Sequence, residues 1–188
     1  LLGADSAGSN PGSVLRDRMQ DKTSGVRRYL DAMRQLLTYA ARLGVPYVTA
    51  EPMSALAEPP TVPDEIRAMG RELREFTAAH PGQTAEFGYC VDVAHGYADA
   101  DRCVRWNHLQ LLEATLPWLQ CVHLKNTDAH YDATFGFSEP ERARGIIDIP
   151  TVRSLLLRNA RVLPVREVVG YLEVGGPKLG RDYSDPRL

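Results

Sequence analysis

The sequence predicts an α/β fold assembled from repeated βα units, with a parallel sheet wrapped into a (β/α) barrel. Three observations predict it. Apolar residues at helical spacing alternate with short, nearly continuous apolar runs, the pattern of parallel strands covered on both faces. Each of the four clearest runs carries a metal-capable side chain at or near its C-terminal end, namely Glu51, Asp92, His123 and Glu173. The composition, 188 residues with 44% hydrophobic and 24% charged, suits one domain over residues 1–188 with a sizeable core. A doubly wound sheet would share the first pattern. The polar residues favour the barrel, whose strands all deliver their C-terminal ends to one face.

The elements follow in order. Leu1-Leu2-Gly3-Ala4 reads as the end of a strand, and residues 4–13 as a Gly/Ser/Asn-rich loop. Thr23 or Ser24 is placed to cap a helix whose apolar positions include Val26, Tyr29, Leu30, Met33, Leu37 and Ala40, with Gly44 ending it in the left-handed position glycine tolerates. Residues 45–50 form the next strand, stopped by Glu51-Pro52. A Pro-rich loop leads to a helix over 64–79 with Ile66, Met69, Leu73 and Phe76 inward, and His80-Pro81-Gly82 breaks it. Residues 87–93 are a strand, 102–116 a helix, and 119–124 a strand. A long loop over 125–145 precedes a helix begun by Pro150, a residue suited to a first turn. The last strand, 168–174, closes on Gly175-Gly176-Pro177.

Composition excludes some functions. A formal net charge of -2 provides no electrostatic footprint for nucleic acid or a membrane surface. No apolar run approaches the roughly 18 residues of a membrane span, and no signal peptide is visible. Three cysteines without paired spacing fit a reducing, cytoplasmic setting. Cys90 and Cys121 lie in apolar runs, where a thiol behaves as a small hydrophobe. A start without Met and a stop at Arg187-Leu188, before any closing helix, lead us to expect a domain incomplete at both ends. A half-barrel alone would leave two sheet edges open, and so would need a partner half or a homo-oligomer.

Taken singly, an acid at a strand end more often caps a helix, and a histidine after Cys121-Val122 more often satisfies a core. Four such residues on successive strands would converge on one point. Three carboxylates and an imidazole form a hard, oxygen-rich set that favours one Mn²⁺, Mg²⁺ or Co²⁺ over a structural zinc. His80 and His108 read as structural, and Trp106 and Trp118 as packing residues.

Glu51-Pro52-Met53-Ser54, Asp92-Val93-Ala94-His95, His123-Leu124-Lys125-Asn126-Thr127-Asp128 and Leu172-Glu173-Val174 resemble the strand ends of the xylose isomerase-like TIM barrel superfamily. That group includes the ketose 3-epimerases and apurinic-endonuclease-like sugar phosphate isomerases. The resemblance covers nearly all of this chain but only the C-terminal half, about strands 4 to 8, of a (β/α)8 barrel. It implies one divalent metal on Glu51, Asp92, His123 and Glu173, and His95 at the substrate. Glu51-Pro52-Met53-Ser54, with Gly8-Ser9-Asn10-Pro11-Gly12-Ser13 upstream, is further similar to the tetrulose-phosphate racemases, which implies a ketose phosphate. Epimerases carry an Arg shortly after the third-strand His. Here Asn126, Asp128 and His130 stand instead, and Lys125, Asn126 and Asp128 become candidate substrate contacts. Lys178 and Arg181 follow the last strand, where barrel enzymes bind phosphate, though a tight turn explains that stretch equally well. The loop holding His130, Tyr131 and Asp132 has the length of a lid.

The expected function is therefore a metal-dependent sugar or sugar phosphate isomerase or epimerase, with Glu51 and Glu173 as the acid/base pair around an enediolate. Two carboxylates suit inversion, because a single base usually returns a proton to the face it came from. An apurinic-endonuclease-like phosphodiesterase would need further histidines and a basic surface, and this chain has five histidines in all. A non-catalytic barrel that binds, or a fragment, would share the fold and lack metal-dependent proton exchange.

Overall fold

The structure is a computed structural model and describes residues 6–9, 22–54 and 59–173. Five strands form one parallel sheet: β1 (Ser6–Ser9), β2 (Tyr47–Ala50), β3 (Glu86–Asp92), β6 (Leu119–Leu124) and β9 (Val169–Leu172). These described strands are neighbours in chain order, so the winding among them does not reverse as a doubly wound sheet requires. Between them run α1 (Lys22–Arg42), α2 (Pro63–Ala79), α3 (His108–Thr115), α4 (Glu139–Arg144) and α5 (Ile149–Arg158). Two short antiparallel hairpins, β4 (Tyr97–Ala98) with β5 (Val104–Trp106) and β7 (Asn126–Thr127) with β8 (Thr134–Phe135), project after β3 and β6.

Strand alternation divides the sheet into two faces. Val48, Ala50, Phe87, Tyr89, Val91, Leu119 and Val122 join one core with Met33 and Leu37 of α1, Ile66 and Leu73 of α2, and Leu111 and Leu112 of α3. The opposite face presents Thr49, Cys90, Cys121 and Tyr171, and there a cleft of about 500 Å³ is lined by Tyr47, Thr49, Gln120, Cys121, Val169 and Tyr171.

One irregularity sets the phase of the sheet. Tyr89 pairs with Leu119, but Cys90 pairs with Cys121, so Gln120 is an extra residue in β6. Leu119 is wholly buried in the helix-side core. Simple alternation from Leu119 would point His123 to that same side. The bulge resets the count, and Asp92 and His123 become register partners on the open face. Gly88 makes room for it: a Cβ there would stand 2.1 Å from the Gln120 Cγ.

Several expectations are corrected. Residues 6–9 form a strand rather than loop, because β2 supplies a complete pairing partner that overrides weak local propensity. Residues 1–5 and 10–21 lie outside the described residues. Helix α1 begins at Lys22, so Thr23 and Ser24 lie inside it, and Gly44 ends its turn at φ 73°. The helix expected from 102 begins only at His108, where Asn107 and Gln110 form a reciprocal capping box. Residues 104–106 instead pair in a hairpin, which leaves Trp106 37% exposed rather than packed. The stretch 125–145 contains β7, β8 and α4 rather than one irregular loop. Asp148 caps α5, with Pro150 in its first turn.

Candidate metal centre and active site

Glu51, Asp92 and His123 stand at the C-terminal ends of the adjacent strands β2, β3 and β6. Their ligand atoms all lie within 4.8 Å of one another. The backbone ladder continues through the site: Val93 N donates to His123 O at 3.1 Å, and Glu173 N to Leu124 O at 3.2 Å. Asp92 is 1% exposed. Its Oδ1 accepts from Ala94 N at 2.8 Å, which fixes the carboxylate and leaves Oδ2 facing the site.

Glu173 approaches from β9 without entering that three-residue set. Its Oε2 is 3.1 Å from His123 Nδ1 and 3.1 Å from Lys125 Nζ. Glu51 reaches the same imidazole nitrogen from β2, with Oε1 3.8 Å from His123 Nδ1. Lys125 is only 7% exposed, and its ammonium sits 2.6 Å from Asp92 Oδ2, bridging Asp92 and Glu173. His95 donates from Nδ1 to Pro52 O at 2.7 Å, because a carbonyl only accepts. That leaves its Nε2 3.3 Å from Asp92 Oδ2.

The charges are mutually adjusted. Burial pushes the Glu51 carboxyl up, but its interaction with His123 and its electrostatic attraction to His95 and Lys125 outweigh that and hold it below the usual range. The side-chain interaction with Glu51, aided by the charges of Glu173 and Asp92, raises His123 against the effect of its burial. Burial lowers Lys125, yet Asp92 and Glu173 more than compensate and raise it.

The donor set fits a divalent cation. Asp92 Oδ2 and His123 Nδ1 are buried and lack a hydrogen bond of good geometry, although charged neighbours stand close to both. Buried polar atoms are rarely left without such a bond, and two acids and an imidazole with ligand atoms this close are a set that could hold an ion.

The other candidates are placed differently. Asn126 is buried, and its Oδ1 accepts from Thr127 N at 2.9 Å and Ile147 N at 3.0 Å, which ties β7 to the chain entering α5. Asp128 Oδ1 accepts from His130 N at 2.9 Å and Asp132 N at 3.1 Å, organising the following turn. Lys178 and Arg181 lie outside the described residues. His80 bonds Phe76 O at 2.8 Å, and His108 contacts the Tyr131 hydroxyl at 3.2 Å, so both serve local structure. Cys90 is buried, whereas Cys121 is half-buried on the open face. The engagement of Lys125 and the carbonyl of Pro52 had no sequence signal, since both depend on partners from other strands.

No protein-family model matches this chain, and no curated protein sequence is recognisably similar to it. Among solved structures, it superposes on a candidate xylose isomerase of Rhodospirillum rubrum with a TM-score of 0.65 at 16% identity, over 95% of this chain and 57% of that one. A sugar phosphate isomerase/epimerase from Parabacteroides distasonis gives a TM-score of 0.42 at 15% identity, over 93% and 69% of the two chains. The fold is that of part of a TIM barrel. The chain spans little more than half the length of the Rhodospirillum protein.

Proposed function

We propose that this chain carries the metal-binding half of a barrel enzyme that isomerises or epimerises a sugar, a ketose phosphate such as a tetrulose phosphate being the favoured substrate. The reading rests on one observation above all. Glu51, Asp92 and His123 bring their ligand atoms together at adjacent strand ends, on the face where barrels do chemistry. The fold it shares with a candidate xylose isomerase supports the same class.

Glu51, Asp92 and His123 would hold a hard divalent ion, with Glu173 completing the set. Bound there, such an ion supplies Lewis-acid polarisation of a carbonyl oxygen. The chain's own groups do the proton chemistry. Glu51 and Glu173 approach the His123 imidazole from different strands, and in this reading they flank the bound sugar. One removes the proton beside the carbonyl, and the other returns a proton to the opposite face. His95, held by Pro52 O, presents Nε2 to the site for a substrate hydroxyl. Lys125 neutralises Asp92 and Glu173 and places a cation beside developing negative charge.

The test is solvent-deuterium incorporation into ketoses and ketose phosphates, followed by NMR in the presence of Mn²⁺. Wild type should label the carbon beside the ketone, and Glu173→Gln and Glu51→Gln should each abolish labelling. Full labelling in either variant would remove that carboxylate from the mechanism.

A further inference from the structure

Among the described residues, two non-glycine residues have positive φ: Arg102 at 60° and Tyr131 at 64°. A left-handed backbone is costly for a side-chain-bearing residue, and it persists only where the surroundings enforce it. One lies in the loop after β3 and the other in the loop after β6. The two loops meet through these two residues and their neighbours.

Asp128 enforces the turn at Tyr131. Its carbonyl accepts from Tyr131 N at 3.2 Å, and its carboxylate takes the amides on either side. The turn throws the Tyr131 ring across the chain onto Gly96, where a Cβ would stand 2.2 Å from the ring Cζ. Beyond Gly96 the Tyr131 hydroxyl accepts from His108 N at 3.1 Å and lies 3.2 Å from His108 Nδ1, to which its own proton can go. Burial lowers the His108 pKa and so keeps that nitrogen free to accept. A second tie runs alongside, from the Arg102 guanidinium to Asp132 Oδ2 at 2.7 Å.

Gly96 directly follows His95, whose ring spans Pro52 O and Asp92 Oδ2. We infer that Tyr131 is a positioning residue: by clasping the loop after β3 to the loop after β6, it holds His95 in place over Asp92. A tyrosine ring does this where a loop hydrogen bond could not, because its flat face fills the space left by glycine while its hydroxyl reaches the N-terminus of α3. That the placement serves a substrate rests on the isomerase reading; the clasp does not.

The experiment is hydrogen–deuterium exchange on the full chain, combined with NMR observation of the His95 ring Nδ1–H, for wild type, Tyr131→Ala and Tyr131→Phe. In Tyr131→Ala the segment 93–98 should exchange at least about tenfold faster while β3 is unchanged, and the His95 Nδ1–H signal should be lost. Tyr131→Phe keeps the ring over Gly96 and should retain the signal and most of the protection. Unchanged protection at 93–98 and an intact His95 signal in Tyr131→Ala would overturn the proposal. So would a rise spread evenly over the sheet, which would mean that the ring merely supports the fold. Both readouts are taken without sugar. A protein that labels no ketose would therefore sink the isomerase reading and leave the clasp to its own result.

Discussion

Asp92 owes its place to three separate contacts, two from the loop that follows its own strand and one from the loop after β6. Ala94 N holds Oδ1, while Lys125 Nζ and His95 Nε2 stand near Oδ2. Asp92→Asn keeps the first contact and removes the charge. Mn²⁺ binding, measured by calorimetry, should weaken at least tenfold, or about 1.4 kcal/mol, with the fold retained. Lys125→Met leaves Asp92 buried without its ammonium partner. Stability in urea should fall by about 3 kcal/mol in metal-free buffer, the usual size for stripping one partner from a buried pair. His108 makes a prediction of different sign. Burial lowers its pKa in the folded chain, so the unfolded chain takes up its proton first as pH falls. The contribution is complete above the ordinary histidine pKa of about 6.5 and is lost on acidification below it. Wild type should lose more stability than His108→Gln between pH 7.5 and 5.5, as read by urea midpoints.

At the scale of elements, the bulge at Gln120 decides which side chains can meet. With Gln120 in place, His123 shares a face with Asp92; without it, the alternation would turn His123 toward the helices. Gly88→Ala puts a Cβ 2.1 Å from the Gln120 side chain and 2.9 Å from the Trp118 carbonyl oxygen. The backbone contact cannot be relieved by a rotamer change. This variant should lose Mn²⁺ affinity in calorimetry even though it alters no ligand, whereas retained wild-type affinity would remove the bulge from the account. Helix α2 leans on the same segment, since a Cβ at Gly70 would come 2.6 Å from the Trp118 ring. Gly70→Ala should therefore destabilise by about 1 kcal/mol, the cost of overpacking exceeding the usual helical gain from alanine.

Over the described residues as a whole, winding in chain order puts the core-forming helices on one face of the sheet and Glu51, Asp92, His123 and Glu173 along one end of it. The core between sheet and helices is where stability resides: Leu37, Leu73 and Phe87 are fully excluded from water. Leu73→Ala should cost about 2–5 kcal/mol in urea denaturation, which would distinguish a loss of fold from a loss of site chemistry. The opposite face is less covered, with Tyr171 52% and Val169 44% exposed. No described helix is long and apolar enough to cross a membrane.

The alternation of helix and strand, and the position of Glu51, Asp92, His123 and Glu173 at strand ends, could be read from the sequence alone. Those features depend on periodicity and on Gly and Pro punctuation within a few neighbouring residues. Local signals failed where pairing overrode them. The Gly/Ser-rich strand Ser6–Ser9 exists because β2 lies beside it, and residues 104–106 joined a hairpin although they read as helix. Only the tertiary structure decided that the winding among the described strands does not reverse, that a bulge brings His123 into phase, that Lys125 is spent on Asp92, and that Tyr131 covers Gly96. Each of these is a contact between residues distant in the chain. Their energies arise from burial and charge pairing that no local stretch of residues contains.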